Sequence, residues 1–221
     1  DYVCESGGKR LRPILLTLSA RLCGYKGDAH IKYASVLEFI HAATLLHDDV
    51  IDESLVRRGK PSANSIWGNE LPVLTGDYLY SKSFYLLVKY GNPDIMSIVS
   101  LTTMNMTDGE IMQLSKSGSF DITESEYLEI ITKKTAYLIS ACCQIGGILA
   151  GVNEKKLKIL KDFGLNIGIA FQLTDDLLDF VADPEKLGKP IGNDLKEGNL
   201  TYPVIWALKK LSLKEKEIIV N

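Results

Sequence analysis

Apolar residues recur along this chain at spacings of three and four, the period of helices that bury one face. The pattern predicts helices over Ile14–Cys23, opening after Pro13, and over Ile31–Val50. A third covers Leu74–Tyr90, stopped by Gly91-Asn92-Pro93, and a fourth Asp94–Ser115, ending at Ser117-Gly118-Ser119. Thr123 and Glu126 have the spacing of a capping box for a helix running to about Leu149. Asn153 caps the next helix, which carries Phe163, Ile167 and Phe171. Pro203 starts a last helix through Leu211, and Ser212 with Glu215 caps a fragment after it. Gly24 to Asp28 reads as a turn, and Glu53 to Asn69, with Gly59, Pro61 and Gly68, as a loop or short broken helix. Asp183 to Asn199 holds Pro184, Gly188, Pro190, Gly192 and Gly198 and reads as a loop. No alternating strand pattern of useful length is present. The expected fold is all-α: one domain over residues 1–221, built as an antiparallel helix bundle.

Composition narrows this little further. The 221 residues suffice for one sizeable core, and 46% hydrophobic with 24% charged residues is the mix of a soluble globular protein. A net charge of -3 supplies no global basic field for nucleic acid. Cys4, Cys23, Cys142 and Cys143 have no metal-site spacing, and a reduced, cytoplasmic setting is expected. Thr135 to Asn153 is uncharged and nearly long enough to span a bilayer. Its Ser140, Gln144 and paired cysteines, and the two lysines at its start, favour a central helix buried by its neighbours.

The candidate chemistry lies where two of these helices end. The first carries His47-Asp48-Asp49-Val50-Ile51-Asp52, followed by Arg57-Arg58-Gly59-Lys60. Residues four apart share a helix face, so Asp48 and Asp52 point the same way with Asp49 beside them. Three like charges so close repel unless a cation sits among them. Hard carboxylate oxygens without paired Cys or His favour magnesium over zinc or copper. Magnesium in turn shares its shell with phosphate oxygens, which the arginine pair would hold by forked hydrogen bonds. One such cluster is as readily a solvated acidic helix end. Here the pattern recurs in Gln172-Leu173-Thr174-Asp175-Asp176-Leu177-Leu178-Asp179, again after an apolar helix and before a basic loop. Two copies in that setting favour the metal–phosphate reading.

With these motifs the chain resembles the trans-isoprenyl diphosphate (polyprenyl) synthases. The likeness runs from Gly7-Gly8-Lys9-Arg10-Leu11-Arg12-Pro13 through the first motif and Arg57-Arg58-Gly59. It continues in Gly76-Asp77, Lys134-Thr135, Phe171-Gln172, the second motif, Gly188-Lys189-Pro190, Asp194 and Glu197-Gly198. The resemblance implies a bundle around a deep central cavity, with the two aspartate motifs facing each other across its mouth. It implies three magnesium ions, with Asp48, Asp52 and Asp175 as ligands, bridging the motifs through an allylic diphosphate. Asp49, Asp176 and Asp179 complete the catalytic aspartates. Relatives generally carry a further N-terminal helix and several C-terminal ones, so both ends of the natural protein are expected to lie outside this sequence.

By the same resemblance Arg57, Lys134 and Lys189 hold the allylic diphosphate, for which farnesyl diphosphate is the expected primer. Thr135 and Gln172 lie by the carbon that ionises. Lys9, Arg12, His41 and Arg58 form the metal-free pocket for isopentenyl diphosphate, and His41 lies two helix turns before Asp48. Asn199 stands where many relatives have a lysine, and Asp194 is expected near a metal's water shell. The growing tail would run back along the first-motif helix past Thr44, Ala43 and Ile40. The small Ala43 and Thr44 leave that path open where short-chain relatives place an aromatic ring. The expected product is therefore a hexaprenyl to octaprenyl diphosphate for quinone side chains, membrane-directed although the enzyme itself is soluble and a homodimer. A short-chain farnesyl or geranylgeranyl synthase, a class I terpene cyclase and a non-catalytic synthase subunit remain as alternatives.

Overall fold

The computed structural model describes residues 2, 7–181, 192–196 and 198–211. Almost all regular structure among them is helical. The order is α1 (Leu11–Leu22), α2 (Ala29–Ile51), a hairpin of β1 (Val56–Arg57) and β2 (Lys60–Pro61), α3 (Ala63–Trp67), α4 (Glu70–Tyr90) and α5 (Pro93–Lys116). There follow α6 (Glu124–Ile131), a π-helical turn (Thr132–Ala136), α7 (Tyr137–Leu149), α8 (Glu154–Val181), α9 (Asn193–Lys196) and α10 (Tyr202–Lys210). The all-α expectation holds. Among the described residues no helix is long and apolar enough to cross a membrane. Nine residues of α7 are buried, so its apolar run is core, as its polar and cysteine content suggested.

Contacts divide the chain into two compact units, residues 1–103 with 138–164, and residues 104–137 with 165–221. In the first, α2 packs against α1 and α4. Its core includes Leu16, Val36, Leu37, Ile40, Leu87, Ile95, Leu138 and Ile145, none more than 1% exposed. Filling so many sites with branched aliphatics supplies most of the drive for folding, at about 25 cal/mol per Å² buried. In the second unit Tyr127 and Ile131 of α6 pack with Leu200 and with Ile205 and Leu208 of α10.

Two differences from the sequence reading bear on the site. The stretch expected to be a loop or broken helix forms a two-residue hairpin turn and then the short α3. Arg58 (φ 53°) and Gly59 (φ 74°) both lie in the left-handed region, as the tight turn between antiparallel strands requires. The helix expected to run unbroken from Thr123 is capped there as predicted: Thr123 Oγ1 accepts from the Glu126 N–H, and Glu126 accepts from the Thr123 N–H. It widens, however, into a π turn at Thr132–Ala136, where the Tyr137 N–H reaches the Thr132 carbonyl five residues back.

Candidate active site

The first motif is shaped by the register of α2. Its buried stripe steps through Leu37, Ile40, Ala43 and Leu46, and the next step is Asp49, only 3% exposed. Asp48 and Asp52 flank that stripe and stay half-buried. A buried carboxylate needs a partner, and the hairpin brings one: Arg57 Nε donates to Asp49 Oδ1 at 2.5 Å. The Asp49 carbonyl, freed by the helix end, accepts from the Ser54 N–H and from Asn64 Nδ2, each at 3.0 Å. Asp52 is the C-cap itself. Tyr80, on α4, stacks on His47 with ring centroids 5.9 Å apart; burial and the charge of Asp48 push its hydroxyl up to about 12.

The same hairpin builds a cationic cluster. At its tip Arg58 donates to the Gly7 carbonyl and lies against Gly8, where a Cβ would stand 2.6 Å from Arg58 Nη1. Gly8 is favoured there by its own φ of 135°. On α2, His41 is driven down to about 2, first by burial and then by Arg12, Arg58, Arg57 and Arg10. Its imidazole is neutral. Burial likewise lowers the pKa of Arg12, opposed by Cys142 and Glu38 and reinforced by Arg58. Among the described residues the enclosed Arg12 Nε has no hydrogen-bond partner. Arg10 is held to Glu38 at 2.7 Å, and Lys9 is exposed beside it. Several fixed cations, a neutral imidazole and an enclosed, unused donor form a receptor for an anion.

In the second unit the π turn presents Lys134 and Thr135. Two glycines let neighbouring helices crowd this turn: a Cβ at Gly109 would meet the Lys134 nitrogen at 2.8 Å, and one at Gly168 the Ala136 Cα at 2.4 Å. Lys134 Nζ pairs with Glu110 at 2.6 Å and donates to Gln113 Oε1 at 3.3 Å, while Gln113 Nε2 donates to Asn199 Oδ1 at 3.3 Å. Its neighbour Lys133 is tied to Asp108 and Glu129, each at 2.7 Å. Thr135 Oγ1 donates to Gln172 Oε1 at 3.0 Å, and Gln172 Nε2 donates to Asp176 Oδ1 at 2.8 Å. Tyr127 Oη donates to the other Asp176 oxygen. Asp176 is 2% exposed; burial raises its pKa, and the Tyr127 and Gln172 bonds pull it back. Asp175 faces outward, and Asp179 is buried, its Oδ2 accepting from the Asp194 N–H at 3.4 Å.

Each motif therefore combines a buried, fully engaged second aspartate with a more accessible first one. Within the first unit, the structure gathers Arg12, His41 and Arg58 and joins Asp49 to Arg57. Within the second, it joins Lys134, Thr135, Gln172 and Asp176. Lys189 lies outside the described residues. Ile40 and Ala43 sit wholly inside the first unit's core, and Thr44, half-buried, donates to the His41 carbonyl at 2.8 Å. The sequence reading missed Tyr127, Glu110, Gln113 and Tyr80. For the middle pair a signal existed: Gly109 is a poor helix former inside the otherwise good helix α5, which calls for a packing reason.

Among the described residues no three carboxylate, imidazole or thiol groups converge as a cage for a metal. Magnesium does not require one, since it takes one or two carboxylates and completes its shell with water and phosphate. The half-buried Asp48 and Asp52 in the first unit, and the exposed Asp175 in the second, are each hard oxygen donors of the kind this ion takes.

The family described as polyprenyl synthetase matches residues 1–221. The chain is 44% identical over 218 residues to the octaprenyl diphosphate synthase of Escherichia coli (strain K12), covering 99% of this chain and 68% of that protein. It is 38% identical over 227 residues to the geranylgeranyl diphosphate synthase of Sulfolobus acidocaldarius, covering 100% of this chain and 69% of that one. Among solved structures, the polyprenyl synthase from Caulobacter crescentus CB15 complexed with calcium and isoprenyl diphosphate superposes with a TM-score of 0.92 at 43% identity. The match covers 97% of this chain and 65% of the other. The chain thus spans about two thirds of the length of these relatives, whose products are both long and short.

Proposed function

The chain belongs to the polyprenyl synthetase family, and on that premise we propose that the full protein joins isopentenyl diphosphate head-to-tail to an allylic diphosphate, making a long all-trans polyprenyl diphosphate. The observation that carries this is the pairing of two aspartate motifs with separate cationic groups, one built on Arg12, His41 and Arg58, the other on Lys134.

Asp48 and Asp52, and on the other unit Asp175, would hold magnesium, which when bound would supply charge neutralisation to the leaving diphosphate. Arg57, Lys134 and Lys189 take up the diphosphate charge that remains. Thr135 and Gln172 turn their dipoles to the allylic carbon as its C–O bond breaks. Lys9, Arg12 and Arg58 grip the diphosphate of isopentenyl diphosphate, and neutral His41 adds a hydrogen bond. The double bond of that substrate forms the new C–C bond with the allylic carbon. A proton then leaves the adjacent carbon for the departed diphosphate.

Finer assignments go with this reading. Farnesyl diphosphate is the primer, and the hexaprenyl to octaprenyl product serves quinone side chains. The small Ala43 and Thr44, with Ile40 beyond, set the tail's path; one helix turn rises about 5.4 Å, close to one extended isoprene unit. A homodimer is favoured by α4, which exposes Leu71, Leu74, Tyr78, Tyr85 and Val88 in a stripe of heptad spacing, and a reduced, cytoplasmic setting by the free thiols of Cys23, Cys142 and Cys143.

Incubating the full chain with magnesium, farnesyl diphosphate and labelled isopentenyl diphosphate, then sizing the product, tests the proposal. Six to eight isoprene units are expected. A product that stops at geranylgeranyl would assign the chain to the short class, and a cyclic hydrocarbon would make it a cyclase. Thr44→Phe should shorten the product. It is a cleaner probe than Ala43→Phe, because Ala43 is wholly buried and overpacking there costs about 1–3 kcal/mol.

A further inference from the structure

The hydrogen bonds around Asp176 have a direction. A carboxylate only accepts, so both its oxygens must be met by donors. Tyr127 Oη supplies one and Gln172 Nε2 the other. With its NH₂ committed to Asp176, Gln172 must turn its carbonyl to Thr135. Thr135 then has to donate, and a hydroxyl has one proton to give. What it offers any ligand is an oxygen with lone pairs alone. Released from Asp176, the Gln172 amide could turn over, and Thr135 could point its proton outward. The chain of bonds is anchored at its far end by one group, the hydroxyl of Tyr127. The anchor is rigid: the Tyr127 ring is 4% exposed, packed with Ile131, Leu200, Ile205 and Leu208. Tyr202, at the start of α10, lies against it with ring centroids 5.8 Å apart.

We propose that Tyr127 is a positioning residue that fixes Asp176 and Gln172 and so holds Thr135 as a pure acceptor toward the electron-poor allylic carbon. The proposal rests on the prenyl-transfer reading and goes beyond it by naming the residue that sets the polarity of the site. An oxygen whose lone pairs face developing positive charge stabilises it, whereas a hydroxyl proton in the same place opposes it. Tyr127 touches no substrate in this account and acts through three bonds.

The test uses the full chain. Tyr127→Phe keeps the ring in its cluster and removes only the hydroxyl. Its kcat should fall on the order of 10- to 100-fold, the range that loss of an outer hydrogen-bond partner of a functional group costs. The KM values for both diphosphates should stay within about threefold of the parent, since no substrate contact is lost. In a Thr135→Val background the same substitution should have almost no further effect on kcat, because the group it positions is gone. Tyr202→Phe, which removes a hydroxyl bonded to Glu124 at 3.1 Å and not to Asp176, should leave kcat within about twofold of the parent. A Tyr127→Phe kcat within twofold of the parent overturns the proposal, as does an equal loss with and without Thr135. Coupling between Tyr127→Phe and Asp176→Asn in the melting of the metal-free chain checks the bond itself without any turnover. If that coupling is present but the parent makes no prenyl product, the prenyl-transfer reading has failed and the hydrogen-bond geometry has not.

Discussion

The two aspartate motifs share a spacing and differ in how each keeps its second carboxylate buried. Asp49 is balanced by a full opposite charge, Arg57, delivered by a hairpin eight residues later. Asp176 is balanced by neutral donors, Tyr127 and Gln172, one of them 49 residues away in sequence. The first motif closes its own helix, with Asp52 as C-cap, whereas the second lies inside α8, which runs on to Val181. An ion pair ties the first motif to its basic loop. A directional hydrogen-bond chain ties the second to Thr135. The same five-residue pattern is thus supported locally in one place and by tertiary structure in the other.

The comparison can be broken at several points. The largest effect is expected on turnover: Asp48→Ala or Asp175→Ala should lower kcat by about 10²–10³, comparable with losing a principal charge-stabilising group, while far-UV circular dichroism stays helical. Next is Arg57→Ala, which removes the charged partner of a buried carboxylate and should cost about 3–5 kcal/mol of stability in a denaturant titration. Tyr127→Phe removes a neutral partner and should cost only about 1–3 kcal/mol. Equal costs would mean that the two burials do not differ in kind. A third break separates the substrates. Arg12→Ala should raise KM for isopentenyl diphosphate by an amount worth about 1.5–3 kcal/mol and leave the allylic KM nearly unchanged. Equal rises would show that these basic residues are wrongly divided.

The smallest effect is a pH dependence. His41 is held far below its ordinary value, so the folded chain disfavours the proton that the unfolded chain accepts. Its contribution to stability is present above about pH 6.5 and is lost progressively as pH falls from there toward about 2. The slope is at most about 1.4 kcal/mol per pH unit. His41→Gln should flatten the fall in stability between pH 7 and pH 5; an unchanged slope would place the imidazole outside the cationic cluster.

Much of this was legible in the sequence, for identifiable reasons. The helical period runs over long stretches, the Thr123–Glu126 box and the Asn153 cap act locally, and the aspartate pattern repeats. What escaped depends on contacts far apart in the chain or on weak local chemistry. The hairpin strands are two residues long, too short to show alternation, and Arg58 occupies a left-handed position where Asn or Gly would have announced the turn. Thr-Lys-Lys-Thr-Ala is ordinary helix composition, so the π turn left no mark; it goes with the close packing at Gly109 and Gly168. Tyr127 reads as one more aromatic on an apolar face until Asp176 is seen against its hydroxyl. Asn199, conspicuous in the sequence as a missing lysine, is joined through Gln113 to Lys134. The motif around Lys189 and the cap at Ser212 and Glu215 lie outside the described residues.

In the proposed function a division of labour separates the accessible aspartates, which hold metal and substrate, from the buried ones, which hold the scaffold. It is tested most directly by melting Asp48→Asn, Asp49→Asn, Asp175→Asn and Asp176→Asn in the full chain, without ligand and then with magnesium and inorganic diphosphate. Ligands that bind the native state raise its melting temperature in proportion to their affinity. Asp48→Asn and Asp175→Asn should melt with the parent when ligand-free and lose most of the ligand-induced rise. Asp49→Asn and Asp176→Asn should melt well below the parent when ligand-free and keep a rise of the parent's size. Ligand-free melting of the second pair at the parent's temperature, together with loss of the ligand-induced rise, would contradict the claim.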